Sequence, residues 1–327
     1  MSDTVGLGVM GCADIARRRM LQAFTAEPGA RVAAVASRDL ERARRVAKPY
    51  GCRAVRGYAE LLAEPEVEAV YVPLPLALHA EWVEAALLAG KHVLAEKPLT
   101  SDPARTSGLL ALARARGLVL RENVLFVHHS QHRRVRQLLS DGVLGDLRSF
   151  HASFTVPRLP AGDIRYRASL GGGALYDTGL YPVRAALHLL GPRLSVAGAV
   201  LTAGPGDGVD TSGAALLATP EGVTAQLSFG LDHAYRSRYT VQGSAGRVTL
   251  DRAFTPAADH RPVLTLERNG SAEEIRLAPD DQVARAVASF VRAVRRGDDD
   301  SGPAIVRQAG LLDEIRVRAG GPRKAVR

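Results

Sequence analysis

Cysteine is almost missing from this chain: Cys12 and Cys52 are the only two in 327 residues. They offer no disulfide framework and no metal-ligand spacing. No run is long and apolar enough to cross a bilayer, and a strand beginning at Val5 leaves no room for a signal peptide ahead of it. The expected setting is therefore a reducing cytoplasm, with no membrane partner. No internal repeat or low-complexity segment is present. Acidic residues are outnumbered, 34 Asp and Glu against 43 Lys and Arg, for a net charge of +9. Such a balance suggests nucleic acid, but the arginines (Arg42, Arg44, Arg45; Arg114, Arg116; Arg133, Arg134, Arg136) are spread along helices without clustered aromatics. They read as solvated faces, so nucleic acid is not an expected partner. What remains is a soluble globular composition, long enough for two domains of ordinary size.

The chain is organised around Val5-Gly-Leu-Gly-Val-Met-Gly-Cys-Ala-Asp-Ile-Ala16. Val5 to Met10 is a short, buried-type strand, and Gly11 to Ala16 turns it into a helix that begins with Arg17, Arg18 and Arg19. A glycine turn between a strand and a helix gathers free amide groups and the positive helix end in one place, where a pyrophosphate can sit. Two registers compete. Gly6-x-Gly8-x-x-Gly11 would put two glycines inside the strand, whereas Gly11-x-Ala13-x-x-Ala16 puts every small residue at the turn. The second is preferred, which makes Gly11, Cys12, Ala13, Asp14 and Ile15 the phosphate-side candidates.

Strand and helix alternate to residue 123. Arg31–Ser37 reads as a strand, Leu40–Ala47 as a helix, and Tyr58–Ala63 as a short helix. Glu68–Pro73 is a strand ending in Pro73-Leu74-Pro75. A helix over Ala80–Ala89 is stopped by Gly90, and Lys91–Ala95 is a strand. Asp102 and Pro103 cap the next helix, which Gly117 ends, and Leu118–Asn123 counts as the sixth strand. The pattern implies a doubly wound parallel sheet of Rossmann type, with its ligand site outside the carboxyl ends of the strands. The second strand ends Ala36-Ser37-Arg38, with no acid at the tip. A hydroxyl followed by a guanidinium suits a 2′-phosphate, favouring NADP(H), and Asp39 is read as the cap of the following helix.

Beyond Phe126 the alternation stops. A helix over Gln131–Ser140 precedes strand-like runs at Leu147–Val156, Leu194–Leu201, Ala214–Ala218, Thr224–Leu231, Tyr239–Gln242, Val248–Leu250 and Val263–Glu267, with glycine turns at Glu221-Gly222 and Asn269-Gly270. One helix, Ala174–Leu190, interrupts them, and helices over Gln282–Arg296 and Ile305–Arg318 close the chain. The expected fold is α/β. Residues 1–124 form the Rossmann domain. Residues 125–327 form an α+β substrate-binding domain with a large, mainly antiparallel, open-faced sheet, whose C-terminal helices could pack back on the first domain. An uncovered sheet face is often buried by a second subunit, so a homo-oligomer (dimer or tetramer) is expected.

Two stretches carry candidate chemistry. Glu96-Lys97-Pro98 follows the fifth strand, at the same edge as the phosphate turn, where a lysine reaches a substrate oxygen and a proline stiffens its support; a cis bond is possible there. In Gly171-Gly-Gly-Ala-Leu-Tyr176-Asp177-Thr-Gly-Leu-Tyr181-Pro182, Asp177 and Tyr181 lie four apart and share a helix face. Pro182 should loosen that helix, and the glycines should admit a ligand. A phenol near an ammonium ionises more readily and so delivers a proton to a forming alkoxide. His79 opens a helix beside the cofactor edge, as a ligand contact or a cap, and Trp82 packs its helix onto the sheet. Arg158, Arg165, Arg236 and Arg238 are candidates to hold a diphosphate. His128, His129 and His132 lack nearby cysteines or acids, and no metal is expected.

Together these stretches resemble the Gfo/Idh/MocA family of NAD(P)-dependent sugar oxidoreductases. The resemblance spans essentially the whole chain: the Gly11 turn, Val70-Tyr-Val-Pro-Leu-Pro75 with His79, Gly90-Lys-His-Val-Leu-Ala-Glu-Lys-Pro98, and the segment ending at Tyr181. Many members carry histidine at the last position. The tyrosine form, with Cys12-Ala-Asp-Ile-Ala16, His128-His-Ser-Gln-His132 and Gly162-Asp-Ile-Arg-Tyr166, is most similar to the NDP-hexose 3-ketoreductases of deoxysugar biosynthesis. The resemblance implies Lys97 and Tyr181 as the catalytic pair with Asp177 orienting Lys97 or a sugar hydroxyl. It also implies cofactor contacts from Pro73, Leu74, His79, Glu96 and Lys97, and a nucleotide-linked (dTDP) 3-keto sugar held with the help of Tyr176. Two alternatives stay open: an NADP-dependent dehydrogenase of a free sugar or cyclic diol, and an inactive dinucleotide-binding regulator.

Overall fold

The computed structural model describes residues 4–204, 208–321 and 323–324. The backbone forms two compact units, one of Met1–Val124 with Val283–Val306, the other of Leu125–Gln282 with Arg307–Arg327. Sequence order alone assigned residues 283–306 to the second domain. They count with the first because their helix buries Val287, Phe290 and Val291, and because Arg121 is held by Asp299 at 3.0 Å and Ser289 at 2.8 Å.

The first unit contains β1 (Val5–Met10), β2 (Ala30–Ser37), β3 (Arg53–Arg56), β4 (Ala69–Val72), β5 (His92–Ala95) and β6 (Leu120–Glu122). All neighbours are parallel, in the order β3-β2-β1-β4-β5-β6. β1 and β4 are buried along their whole length, as strands covered on both faces must be. The sequence gives no clear sign of β3: it is an edge strand of two arginines around Ala54 and Val55, and only Val55 is buried. Trp82 packs against the core and meets Tyr58 edge-on at 5.1 Å.

The glycines of β1 settle the register question. A Cβ on Gly6 would overlap the carbonyl oxygen of Glu66, and one on Gly8 would sit 2.9 Å from Val67 Cγ1. Both are small so that the 66–67 segment can lie against the strand. They take no part in the turn.

The second unit contains β7 (Leu147–Thr155), β8 (Ser195–Ala203), β9 (Asp210–Ala218), β10 (Thr224–Gly230), β11 (Arg236–Gly243), β12 (Arg247–Asp251), β13 (Val263–Arg268), β14 (Ser271–Arg276) and β15 (Arg323–Lys324). They form one sheet in the order β14-β13-β12-β11-β7-β10-β9-β8-β15. Pairing is antiparallel except β7 with β10 and β15 with β8. β14 escapes a hydrophobic reading because Ser271–Arg276 is polar and almost wholly exposed. It pairs with β13 through the Asn269–Gly270 turn, both residues at positive φ. Phe150, Ala152, Phe154, Ala225, Leu227, Phe229, Tyr239 and Val241 turn to the buried face, against which the helix Leu180–Leu190 packs. His151, Ser153, Gln226, Ser228, Arg238 and Thr240 turn to the other. No helix among the described residues is long and apolar enough to cross a membrane.

Gly6→Ala should lower stability by about 2 kcal/mol or more, because the carbonyl it meets is backbone and cannot turn aside. A thermal melt within one degree of the parent would contradict this packing.

Candidate active site

β1, β2, β4 and β5 all end at the same edge of the first sheet, and each hands over to a loop bearing a candidate residue. Gly11 turns the chain after β1 with φ of 107°, a conformation that favours glycine. A Cβ there would stand 3.1 Å from Leu74 Cδ2, so the turn and the Pro73–Leu74 loop are packed side by side. Winding begins with Arg17 N donating to Ala13 O at 3.1 Å and passes through one wide, π-type turn over Ala16–Met20. Ala13 and Ile15 are half-buried at the opening of this helix, and exposed Asp14 pairs with Arg17 and Arg18. Cys12 is buried, which pushes its thiol up. Arg42, read from the sequence as part of a solvated face, instead donates from Nη2 to the Cys12 carbonyl at 3.1 Å and buttresses the turn.

At the tip of β2, Ser37 Oγ accepts from the Asp39 amide at 3.2 Å. The Asp39 carboxylate caps the next helix, accepting from Glu41 N at 2.9 Å and Arg42 N at 3.3 Å. The nearby acid is thus committed to the helix, and the exposed charge at the tip is Arg38, which works against the rise that burial imposes on the Tyr58 phenol. A helix opening just past the strand-end turn, a glycine at positive φ, and a guanidinium in place of an acid fit a dinucleotide carrying a 2′-phosphate.

Glu96, Lys97 and Pro98 follow β5, and the Lys97–Pro98 peptide is cis. His79 does not face a ligand. It is 1% exposed, with Nδ1 2.9 Å from the Pro98 carbonyl and Nε2 2.8 Å from the Leu74 carbonyl. Its ring therefore ties the two loops together, and the expected contact with cofactor or substrate is withdrawn.

In the second unit, the chain before Pro182 widens into a π-type turn over Leu175–Gly179, and a regular helix follows over Leu180–Leu190. A residue without an amide hydrogen forces that relaxation. Half-buried Tyr181 sits in an aromatic collar, its ring centroid 4.7 Å from Phe154, 5.8 Å from Phe254 and 6.0 Å from Phe126. Asp177 Oδ2 accepts from Arg165 Nε at 2.7 Å, and Arg165 Nη1 also donates to Asp163 at 3.2 Å. Burial works against the Arg165 charge, but Asp177 and Asp163 outweigh it and hold the guanidinium above its ordinary pKa. The charge expected to grip a diphosphate is thus met by two carboxylates of the same chain. Nor do Gly172 and Gly173 open toward a ligand. A Cβ on Gly172 would overlap the Arg165 carbonyl, and one on Gly173 the Asp210 carboxylate.

Burial raises the Tyr176 phenol, against the pull of the Arg316 charge. Arg158 is exposed, 4.0 Å from Asp232. Arg236 is misassigned by sequence. Ser237 pairs with Phe154 and shares its covered face with Tyr181, so alternation puts Arg236 and Arg238 on the opposite face of the sheet. His132 is buried, Nδ1 2.9 Å from the Tyr239 hydroxyl and Nε2 2.9 Å from the Ala253 carbonyl, and burial lowers its pKa well below the usual value. Among the described residues no group of three or more His, Cys, Asp or Glu is arranged to hold a metal.

Residues 5–124 match the family model described as "Oxidoreductase family, NAD-binding Rossmann fold", and residues 132–249 match the "GFO/IDH/MocA C-terminal domain". The chain belongs to the Gfo/Idh/MocA oxidoreductase family. Within that family it is similar to dTDP-3,4-didehydro-2,6-dideoxy-alpha-D-glucose 3-reductase of Streptomyces violaceoruber, 54% identical over 324 residues, covering 96% of this chain and 95% of the relative. The Streptomyces antibioticus protein of the same name is 51% identical over 321 residues, covering 97% and 98%. The solved structure of a 3-ketoreductase from Actinomadura kijaniata in complex with NADP and TDP-benzene matches with a TM-score of 0.95 at 50% identity, covering 98% of both chains.

One structural support of this Gfo/Idh/MocA site has no local sequence signal. Asp210, 9% exposed at the start of β9, accepts from Leu175 N at 2.6 Å. It therefore caps the segment that carries Asp177 and Tyr181 from a position 35 residues away. Burial pushes its pKa up to about 6, more than the backbone donors pull it down. Because the folded value lies above the unfolded one, the folded state binds the extra proton, and this group's contribution to stability falls as pH rises between about 4 and 6. Asp210→Asn keeps an accepting oxygen and loses the titration. Its melting temperature relative to the parent should therefore be higher at pH 7.5 than at pH 4.5, by a margin on the order of 2 kcal/mol of stability. Parallel curves of melting temperature against pH would contradict the assignment.

Proposed function

We propose that this enzyme reduces the C-3 keto group of a dTDP-linked keto-deoxysugar with NADPH. What carries the reading is likeness along the full chain, at 50 to 54% identity, to dTDP-sugar 3-reductases and to a 3-ketoreductase solved with NADP and TDP-benzene. The chemistry at the edge of the first sheet is compatible with it: the helix opening after the Gly11 turn suits a pyrophosphate, and exposed Arg38 at the tip of β2 suits a 2′-phosphate. When bound, the cofactor supplies a hydride to the carbonyl carbon. Negative charge then grows on the carbonyl oxygen. The Lys97 ammonium steadies that charge, and the Tyr181 hydroxyl gives the oxygen its proton. Asp177, held by Arg165 Nε at 2.7 Å, orients a sugar hydroxyl. Solved structures of the Actinomadura reductase include forms with one lysine or one tyrosine replaced, and those two positions are as far apart in its sequence as Lys97 and Tyr181 are here. That spacing supports the pair.

The uncovered face of the second sheet supports self-association. Val200 is 46% and Leu216 41% exposed there, beside Gly198, Ala214, Arg236 and Arg238 around a shallow cavity. Apolar side chains on an open antiparallel face are the usual seat of a two-fold contact, and we read this one as the homo-oligomer interface.

With NADPH and a panel of dTDP-linked keto-deoxyhexoses, Lys97→Met and Tyr181→Phe should each retain cofactor binding and lose about 10²–10³ in turnover. Near-normal rates in both variants remove the pair from the mechanism. Oxidation of free xylose by NADP⁺ without turnover of any dTDP-keto sugar would favour the free-sugar dehydrogenase instead. Leu216→Arg should convert the assembly to a monomer by light scattering, and an unchanged mass places the interface elsewhere.

A further inference from the structure

Lys97 stands in a loop anchored at every neighbouring residue. Glu96 Oε1 accepts from the Tyr71 hydroxyl at 2.6 Å and from Asn123 Nδ2 at 2.7 Å, while Oε2 accepts from the Lys97 amide at 3.4 Å. Beyond Lys97, the Pro98 carbonyl meets His79, and the Leu99 amide donates to Glu122 Oε1 at 2.8 Å. Tyr71 ends its course at β4, Asn123 just past β6, and Glu96 just past β5. Three adjacent strand ends thus converge on one carboxylate. Tyr71 is fully buried and braced edge-on by Phe24 at 5.5 Å, and Asn123 is 4% exposed. Burial first, and then the Glu96 carboxylate, push the Tyr71 phenol well above its usual pKa, so it remains an O–H donor.

We propose that Tyr71 and Asn123 are positioning residues for the reduction, fixing Lys97 through the two hydrogen bonds they give to Glu96. The inference rests on the reading of Lys97 as the ammonium that steadies the carbonyl oxygen. Two donors on one oxygen set the plane of the Glu96 carboxylate, and with it the backbone from which Lys97 extends. An ammonium works in this role only within a fraction of an ångström of its place, and a misplacement of about 1 Å costs on the order of 10²-fold in rate. Neither residue needs to touch substrate for its loss to be felt in the chemical step.

The test compares Tyr71→Phe, Asn123→Leu, Glu96→Gln and Lys97→Met, alone and combined, by kcat, KM for the keto sugar, NADPH affinity and melting temperature. Tyr71→Phe and Asn123→Leu should each lower kcat about tenfold, with KM and NADPH affinity within about twofold of the parent. Glu96→Gln, which keeps an oxygen for both donors, should retain at least about a third of kcat. In the Lys97→Met background, Tyr71→Phe should cost nothing further, since a residue that acts through Lys97 has nothing left to position. Full kcat in both single variants, beside a disabled Lys97→Met, overturns the positioning role alone. A tenfold loss that persists undiminished in the Lys97→Met background also overturns it, because the effect then bypasses the lysine. Near-normal turnover by Lys97→Met overturns the reading of Lys97 itself, and this inference with it.

Discussion

Parallel strand direction is the constraint on which the first unit depends. Because all six strands run the same way, every carboxyl end falls on one edge, and residues 11, 38, 74 and 96–99 meet there although they are far apart in sequence. Burial of β1 and β4 on both faces fixes that arrangement, since those strands have no polar side to offer solvent. The loops at the edge are then held by hydrogen bonds to groups inside the sheet, through His79, Glu96 and Glu122. A flexible lysine side chain thereby gains a rigid base without losing its own reach.

The second unit solves a different problem. Its sheet covers one face with the helix Leu180–Leu190 and lines that face with aromatic rings, so that Tyr181 is both part of the packing and open at one side. The aromatic collar limits the phenol to a narrow set of orientations, while the widened turn ahead of Pro182 sets where the helix starts. Several arginines of this unit are answered by acids of the same unit, as with Arg165 between Asp163 and Asp177, or Arg238 opposite Asp251 at 3.6 Å.

Local chemistry was legible in the sequence; side-chain partnerships across the fold were not. The choice of Gly11 over Gly6 and Gly8 rested on where a glycine turn must sit, and the backbone angles bear it out. The loosening before Pro182 followed from one missing amide hydrogen, and the capping role of Asp39 from its place ahead of a helix. By contrast, β3 and β14 lack hydrophobic runs, Arg42 reaches back 30 residues to Cys12, and Asp210 caps a helix 35 residues upstream. Gly172 and Gly173, two of the three glycines before the Tyr181 segment, looked like room for a ligand and proved to be room for the chain's own Arg165 carbonyl and Asp210 carboxylate. Arg236 failed for a simpler reason: in a strand, a side chain's face is decided by parity, and the parity of β11 was not fixed until its pairing with β7 was known.

Transfer of isotope tests the proposed chemistry most directly. With NADPH deuterated at the transferable C4 position and a dTDP-3-keto-deoxyhexose, the product should carry one deuterium at C-3 and none elsewhere on the ring, as read by NMR. Deuterium at another sugar carbon, or a cofactor that keeps its label while the sugar stays unreduced, would contradict the account.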